Sequence, residues 1–402
     1  MRAQAPYMTA RHDIVVLDAA RTPLGSFQGA LAAVPAPRLG AAAIRGALAR
    51  SGVEPARVSD VLMGTVLQAG QGQAPARQAA LHAGVPASAR TVTVHKVCGS
   101  GMQAVMQGAQ ALMLDMASVV VAGGMENMSQ APYLLPGARD GYRLGHQRVV
   151  DSLVGDGLWD PYNDQHMGAC AEHCATMFGF TRADQDAYAV TSFQRANAAQ
   201  QAGLFVEEIV AVEAPAGKRG TRLVDQDEGP ARADYEKMSA LRPAFAADGT
   251  ITAANASTLN DGAAALVLTT AGRAAADGHR PLARLVAFGA HAQDPLWFTT
   301  APVEATHRAL DAAGWTTADV DLWEVNEAFA VVPMAFMAEL GVPHDRLNVR
   351  GGAVSLGHPI GCSGARILVT LMAALRERGA RRGVAAICIG GGEGLAVCVE
   401  IP

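Results

Sequence analysis

Four stretches of the chain carry residues able to do covalent chemistry. In KVCGSGMQAV, residues 96–105, Cys98 is followed by Gly-Ser-Gly and a run that reads as a helix. A cysteine at a helix opening lies at the positive end of the helix dipole, near unpaired backbone N–H groups, which favours thiolate over thiol. The small residues after it let another molecule approach the backbone. A thiolate nucleophile also needs a base to take its proton. His358 stands in the Gly-rich turn of NVRGGAVSLGHPIGCSGARI, before Pro359, which keeps its backbone out of the α region. In WEVNEAFA, Asn326 and Glu327 follow a strand; in CIGGGEG, Cys388 ends a strand beside Gly390, Gly391 and Gly392. Each has an ordinary reading: a packed thiol at Cys98 or Cys388, a loop histidine, a helix-start asparagine, a solvated glutamate. Their convergence is what points to chemistry. The glycines match neither a Walker loop nor a GxGxxG after the first strand, so they read as oxyanion donors and not as a phosphate cradle.

The elements that would position these residues repeat. The stretch 308–326 can be laid on 46–64, so that Gly314 falls 262 residues after Gly52. Ser363-Gly364, opening the helix ARILVTLMAAL, falls 263 residues after Ser100-Gly101, opening MQAVMQGAQAL. Both helices lead to an apolar strand that ends in glycines, VVVAGG and AAICIGGG. A near-constant offset across two motifs argues for internal duplication. Two α/β halves would then face each other, with equivalent strand ends and helix starts meeting where ligands sit in open α/β sheets. Residues 129–259, richer in Tyr, Pro, Gly and charge, read as an inserted domain suited to ligand binding. The domain expectation is a first half over 1–128 completed by 260–282, the insertion at 129–259, and a second half over 283–402.

Composition bounds the function. The chain has 402 residues, half of them hydrophobic, with 43 glycines and a net charge of −5. That describes a compact, heavily buried protein with no global attraction for nucleic acid or acidic membrane. Six cysteines in so long a chain are no disulfide scaffold. Cys170 and Cys174 have helical spacing, flanked by His166 and His173, yet no closed zinc ligand set accompanies them. The N-terminal MRAQAPYMTARHD lacks the apolar core of a signal peptide, and no apolar run is long enough to span a membrane. A cytoplasmic location is the expectation.

The blocks VCGSGMQAV, NEAFA, NVRGGAVSLGHPIGCSGARI and CIGGGEG resemble the four signature blocks of the thiolases. RTPLGSF, GGMENMS, HMGACAE, LRPAF and ANASTLNDGAAALVL also look like thiolase segments, so the likeness runs from about Asp13 to Ile401. The nearest flavour is the acetoacetyl-CoA thiolases of the mitochondrial type. The resemblance implies a five-layered αβαβα thiolase fold and a homotetramer. It implies reversible condensation of two acetyl-CoA to acetoacetyl-CoA and CoA, with coenzyme A as substrate and no cofactor required. By the same resemblance Cys98 is the acylated nucleophile, and His358 activates it. His358 also forms one oxyanion hole with a water held by Asn326; the N–H groups of Cys98 and Gly390 form the other. Cys388 moves the α-proton.

Coenzyme A would lie on the insertion, along Leu158, His166, Met167 and Ser257, with Arg232 and Lys237 toward its adenosine phosphate. Phe298 would border the acyl pocket and admit a 2-methyl substituent. Tyr188, Ala253, Ala254, Ala256 and Val354 resemble a potassium site of the mitochondrial-type enzymes, where carbonyls without a carboxylate suit a monovalent ion. The chain departs from the family at His95, Arg350 and Glu393, none of them a catalytic position. Two other readings are a broader 3-ketoacyl-CoA thiolase and a non-catalytic acyl-CoA or lipid binder of the same fold. A ketoacyl synthase relative is disfavoured, because a second histidine would be expected where Asn326 stands.

Overall fold

The computed structural model describes residues 13–217 and 220–402. The reading of the N-terminal dozen residues, and Lys218 and Arg219 of the PAGKRGTR loop, fall outside the described residues.

Nine strands form one path, in the order Leu322–Val325, Arg382–Ile389, Glu393–Glu400, Ala283–Ala292, Ile14–Arg21, Asn260–Thr270, Val119–Asn127, Asp60–Gly64, Arg90–Val94. The middle junction is antiparallel, with Ile14 opposite Leu285 and Val16 opposite Ala283. Out from that junction the halves mirror each other. Each has two antiparallel neighbours and then a parallel strand, Asp60–Gly64 on one side and Leu322–Val325 on the other. The strand Arg90–Val94 finds its counterpart in the single parallel bridge between Trp323 and Leu347. After the segment between them, the chain returns to place Asn260–Thr270 between Ile14–Arg21 and Val119–Asn127.

The duplication read from the sequence extends to backbone angles. The helices Ala36–Ser51 and Ala301–Ala313 both end on a left-handed glycine, Gly52 at φ 69° and Gly314 at φ 68°. Each is followed by a 3₁₀ turn, Pro55–Arg57 and Thr317–Asp319. Glycine is used there because a side chain would be strained at that φ.

Five layers result. Helices Ala36–Ser51 and Pro75–His82 cover the outer face of the first half's strands. Ala301–Ala313 and Val331–Leu340 cover the outer face of the second half's. Between the two sets lie Ser100–Met113 and Ile360–Glu377, packed on each other and on strands of both halves. Their burial on nearly all sides explains their nearly unbroken apolar sequence. Gly101 and Gly364, equivalent in the duplication, make the crossing. A Cβ on Gly101 would lie 2.9 Å from the backbone nitrogen of Ala365, and one on Gly364 2.6 Å from that of Met102. Only residues without side chains let the two helix starts cross this closely, and the turn ahead of each start is thereby brought to one place.

Candidate active site

Those two turns carry Cys98 and His358. Each residue sits two positions before the first residue of its helix, with Gly99 and Pro359 as the N-caps. The offset of 263 lays His358 on His95 and not on Cys98, because the second helix begins three residues earlier relative to the shared Ser-Gly pair. His95 itself is exposed. Both Cys98 and His358 line one cavity of about 460 Å³, a size that suits a small-molecule ligand.

The histidine is oriented by its own helix. The Oγ of Ser363 donates to the carbonyl of Pro359 at 3.0 Å and lies 2.5 Å from Nδ1 of His358. With its proton committed to Pro359, that hydroxyl accepts from Nδ1–H, which leaves the lone pair on Nε2. Nε2 is buried with no protein partner. The backbone N–H of His358 is fixed by Asn260 Oδ1 at 3.0 Å. Burial, and then the charge of Arg366, hold the imidazole's pKa down at about 3, so it is neutral.

The thiol differs from its sequence-based expectation. Burial raises its pKa to about 11; the N–H groups of Gly390 and of Cys98 itself pull the other way but lose, and the buried Glu126 adds to the rise. The helix starts only at Ser100, so Cys98 is outside the first turn and the helix end does not offset the desolvation. At rest the pair is thus thiol and neutral imidazole, not an ion pair. The backbone N–H of Gly390 is still the largest of the groups that lower the thiol's pKa.

Gly390 opens the turn between strands Arg382–Ile389 and Glu393–Glu400, where Gly391 and Gly392 take φ of 95° and 84°. Cys388, at the end of the first strand, is fully buried, and its pKa is pushed far up by desolvation and next by the charge of Cys98. Asn326 follows Leu322–Val325, is fully buried, and neither its side-chain nitrogen nor its oxygen has a protein partner. Neither residue is among those that line the cavity.

Residues 14–272 match the thiolase N-terminal domain and residues 279–401 the thiolase C-terminal domain. The chain belongs to the thiolase family. It is 51% identical to the acetyl-CoA acetyltransferase of Cupriavidus necator over 389 residues, 96% of this chain and 99% of that one. It is also 51% identical to acetyl-CoA acetyltransferase 2 of Arabidopsis thaliana over 391 residues, 97% of each chain. The crystal structure of the Bacillus anthracis acetyl-CoA acetyltransferase matches with a TM-score of 0.95 at 40% identity, covering 98% of this chain and 100% of that one. The fold is the thiolase fold, and the protein is an acyltransferase of that family.

The remaining expected residues of this thiolase divide. Leu158, His166, Met167, Arg232, Ser257 and Phe298 line the cavity, as do Ala253 and Ala256. His166 accepts from the N–H of Gly168 at 3.0 Å and stacks on Phe245, and burial lowers its pKa. Lys237 is elsewhere: its ammonium pairs with Asp234 at 2.6 Å on the exposed surface. Ala254 and Val354 pack together in a separate cluster, and neither they nor Tyr188 line the cavity. The Tyr188 hydroxyl donates to Glu327 at 2.8 Å and the Val354 N–H donates to the same carboxylate at 3.0 Å. A carboxylate therefore stands beside two of the five residues expected to form a carboxylate-free cation pocket.

Glu327 is a buried hub and not a solvated glutamate. It also accepts from Ser192 and Asn348, which ties the helix Arg182–Gln201 to the second half. Arg350 is buried, and its guanidinium donates to the carbonyls of Leu204 and Ala373. Sequence reasoning passed over Glu126. Its fully buried carboxylate accepts from Thr65 Oγ1 and from the N–H groups of Val66, Leu67 and Gly361, joining the first half to the start of the His358-bearing helix. Ser363 was read only as a helix opener. An acid inside the apolar run VVVAGGME was the available signal for Glu126. No group of three or more His, Cys, Asp or Glu that could hold a metal occurs among the described residues, and no helix among them is long and apolar enough to cross a membrane.

Proposed function

We propose that this thiolase is an acetyl-CoA C-acetyltransferase that condenses two acetyl-CoA to acetoacetyl-CoA and CoA, reversibly, through an acyl-enzyme on Cys98. The observation that carries this reading is one apolar cavity lined together by the Cys98 thiol, Gly390, His358 with its buried and unpartnered Nε2, and a wall of Phe298 and Phe329. Relatives named acetyl-CoA acetyltransferase at about half identity over nearly the whole chain support it.

In the first half-reaction Nε2 of His358 takes the Cys98 proton and the thiolate attacks the acetyl carbonyl. Negative charge on that oxygen is met by preorganised N–H donors, for which Gly390 is oriented. Collapse breaks the carbon–sulfur bond to CoA, which leaves with the proton of Cys388, so that Cys98 is acetylated, His358 is protonated and Cys388 is a thiolate. In the second, the Cys388 thiolate removes the α-proton of another acetyl-CoA. The carbanion attacks the acetyl-cysteine carbonyl, a carbon–carbon bond forms, and the Cys98 thiolate leaves and takes back the proton of His358. The unpaired amide of Asn326, with a bound water, and the protonated imidazole would meet the enolate charge. The resting thiol and neutral base suit this sequence, because no charge is held in the dry cavity until substrate arrives.

Phe298, edge-on to Phe329 with centroids 6.3 Å apart, supports short acyl groups. The test is thiolytic rate against acyl chain length. Acetoacetyl-CoA, and 2-methylacetoacetyl-CoA beside it, should be cleaved far faster than a ten-carbon ketoacyl-CoA. Good activity on the long substrate would favour the broader 3-ketoacyl-CoA thiolase, and failure to form any acyl-enzyme would leave only a binder.

A further inference from the structure

Glu393 has a partner from the other half of the chain. Its carboxylate forms an ion pair with the ammonium of Lys96. The two residues come from opposite halves, 297 positions apart in the chain. Lys96 precedes Val97 and Cys98, and Glu393 follows the Gly390–Gly392 turn. The pair thus bridges the loop that carries the nucleophile and the turn that carries its N–H donor.

The nucleophile loop needs holding. Val97 has a φ of 43°. A β-branched residue is strained there and keeps such a backbone only when its surroundings enforce it. Inside the loop the restraint is local: the Lys96 N–H donates to Ser100 Oγ at 2.8 Å, and that hydroxyl donates to the Val97 carbonyl at 2.6 Å. Across to the other half, Val97 packs on the turn, with its Cγ1 3.5 Å from where a Cβ on Gly390 would stand. Cys98 and Gly390 line the same cavity. The Val97 contact is soft, and the ion pair adds charge to the same junction. The side chains of Lys96 and Glu393 are 23% and 38% exposed, and neither residue lines the cavity.

The geometry points to Lys96 and Glu393 as positioning residues, an electrostatic latch that keeps the Gly390 N–H in register with Cys98 for the acyl-transfer step. The inference rests on Cys98 being the acylated residue. Because the pair is partly in water, its effect is modest and falls with salt.

The experiment uses Glu393→Gln, Lys96→Met and the exchange Lys96→Glu with Glu393→Lys in the full chain. For thiolysis of acetoacetyl-CoA each neutral variant should lose about two- to fivefold in kcat with KM unchanged, in keeping with a partly exposed pair. The exchanged double variant should return to within about twofold of the parent, beyond what either reversal alone reaches. The parent's kcat should fall as ionic strength rises, and that of Glu393→Gln should not. Wild-type kcat in both neutral variants, or no rescue on exchange, overturns the latch even if the thermal midpoint drops, since a purely structural pair would do that. If the parent itself shows no turnover, the functional reading fails, and the latch is then judged by iodoacetamide. Cys98 is the one cysteine of the six that is only partly buried. Equal alkylation rates in parent and Glu393→Gln would overturn it; an altered rate would sustain it.

Discussion

Ser363 Oγ lies 2.5 Å from Nδ1 of His358 and gives its proton to the carbonyl of Pro359. One hydroxyl therefore selects the tautomer of the proposed base five residues away. Ser363→Ala should lower kcat roughly ten- to a hundredfold with little change in KM, since Nε2 loses its enforced lone pair while the cavity wall is intact. Steady-state kinetics on acetoacetyl-CoA checks it; an unchanged kcat would show that the tautomer is set otherwise.

The two cysteines should separate by step. Cys98→Ala should abolish acyl-enzyme labelling by substrate. Cys388→Ala should keep labelling but lose α-proton exchange and turnover by several orders of magnitude. Deuterium exchange into acetyl-CoA, read beside mass spectrometry of the labelled protein, distinguishes them. Normal turnover in Cys388→Ala would remove it from the reaction.

Alkylation of Cys98 should climb about tenfold per pH unit between pH 7 and 10 without levelling, because the thiol's pKa is about 11. A plateau near neutrality would mean that a thiolate already exists at rest.

His358 ties stability to acid. The unfolded imidazole titrates near 6.5 and the folded one near 3, so between those values the unfolded chain binds the extra proton. Its contribution is complete above about pH 6.5 and is lost as the pH falls toward 3, with a slope of at most about 1.4 kcal/mol per pH unit. Denaturant midpoints across that range should decline less steeply in His358→Gln than in the parent.

Glu126→Ala should destabilise the protein by about 3–5 kcal/mol, because it strands the N–H groups of Val66, Leu67 and Gly361 in a dry interior. Chemical denaturation gives the number. A loss below about 1 kcal/mol would show that the site relaxes.

Much of this protein was legible in the residues alone. A repeat offset of 262–263, two Ser-Gly helix openings and two Gly-ended strands imply paired α/β halves, because local spacing and backbone freedom are properties of short segments. The same segments name Cys98, His358, Asn326, Cys388 and Gly390 as the residues to watch. Folding decided what depends on long-range contact and on removal of water. The glycine crossing of Gly101 and Gly364 brings two turns together that lie 260 residues apart between Cys98 and His358. Burial drives the thiol up and the imidazole down, the reverse of the ion pair that a helix opening suggests, since desolvation acts through every surrounding atom and not through neighbours in the chain. Glu327 and Glu126 look like ordinary acids in sequence; their partners come from segments up to 235 residues away, and only the packed molecule makes them buried anchors.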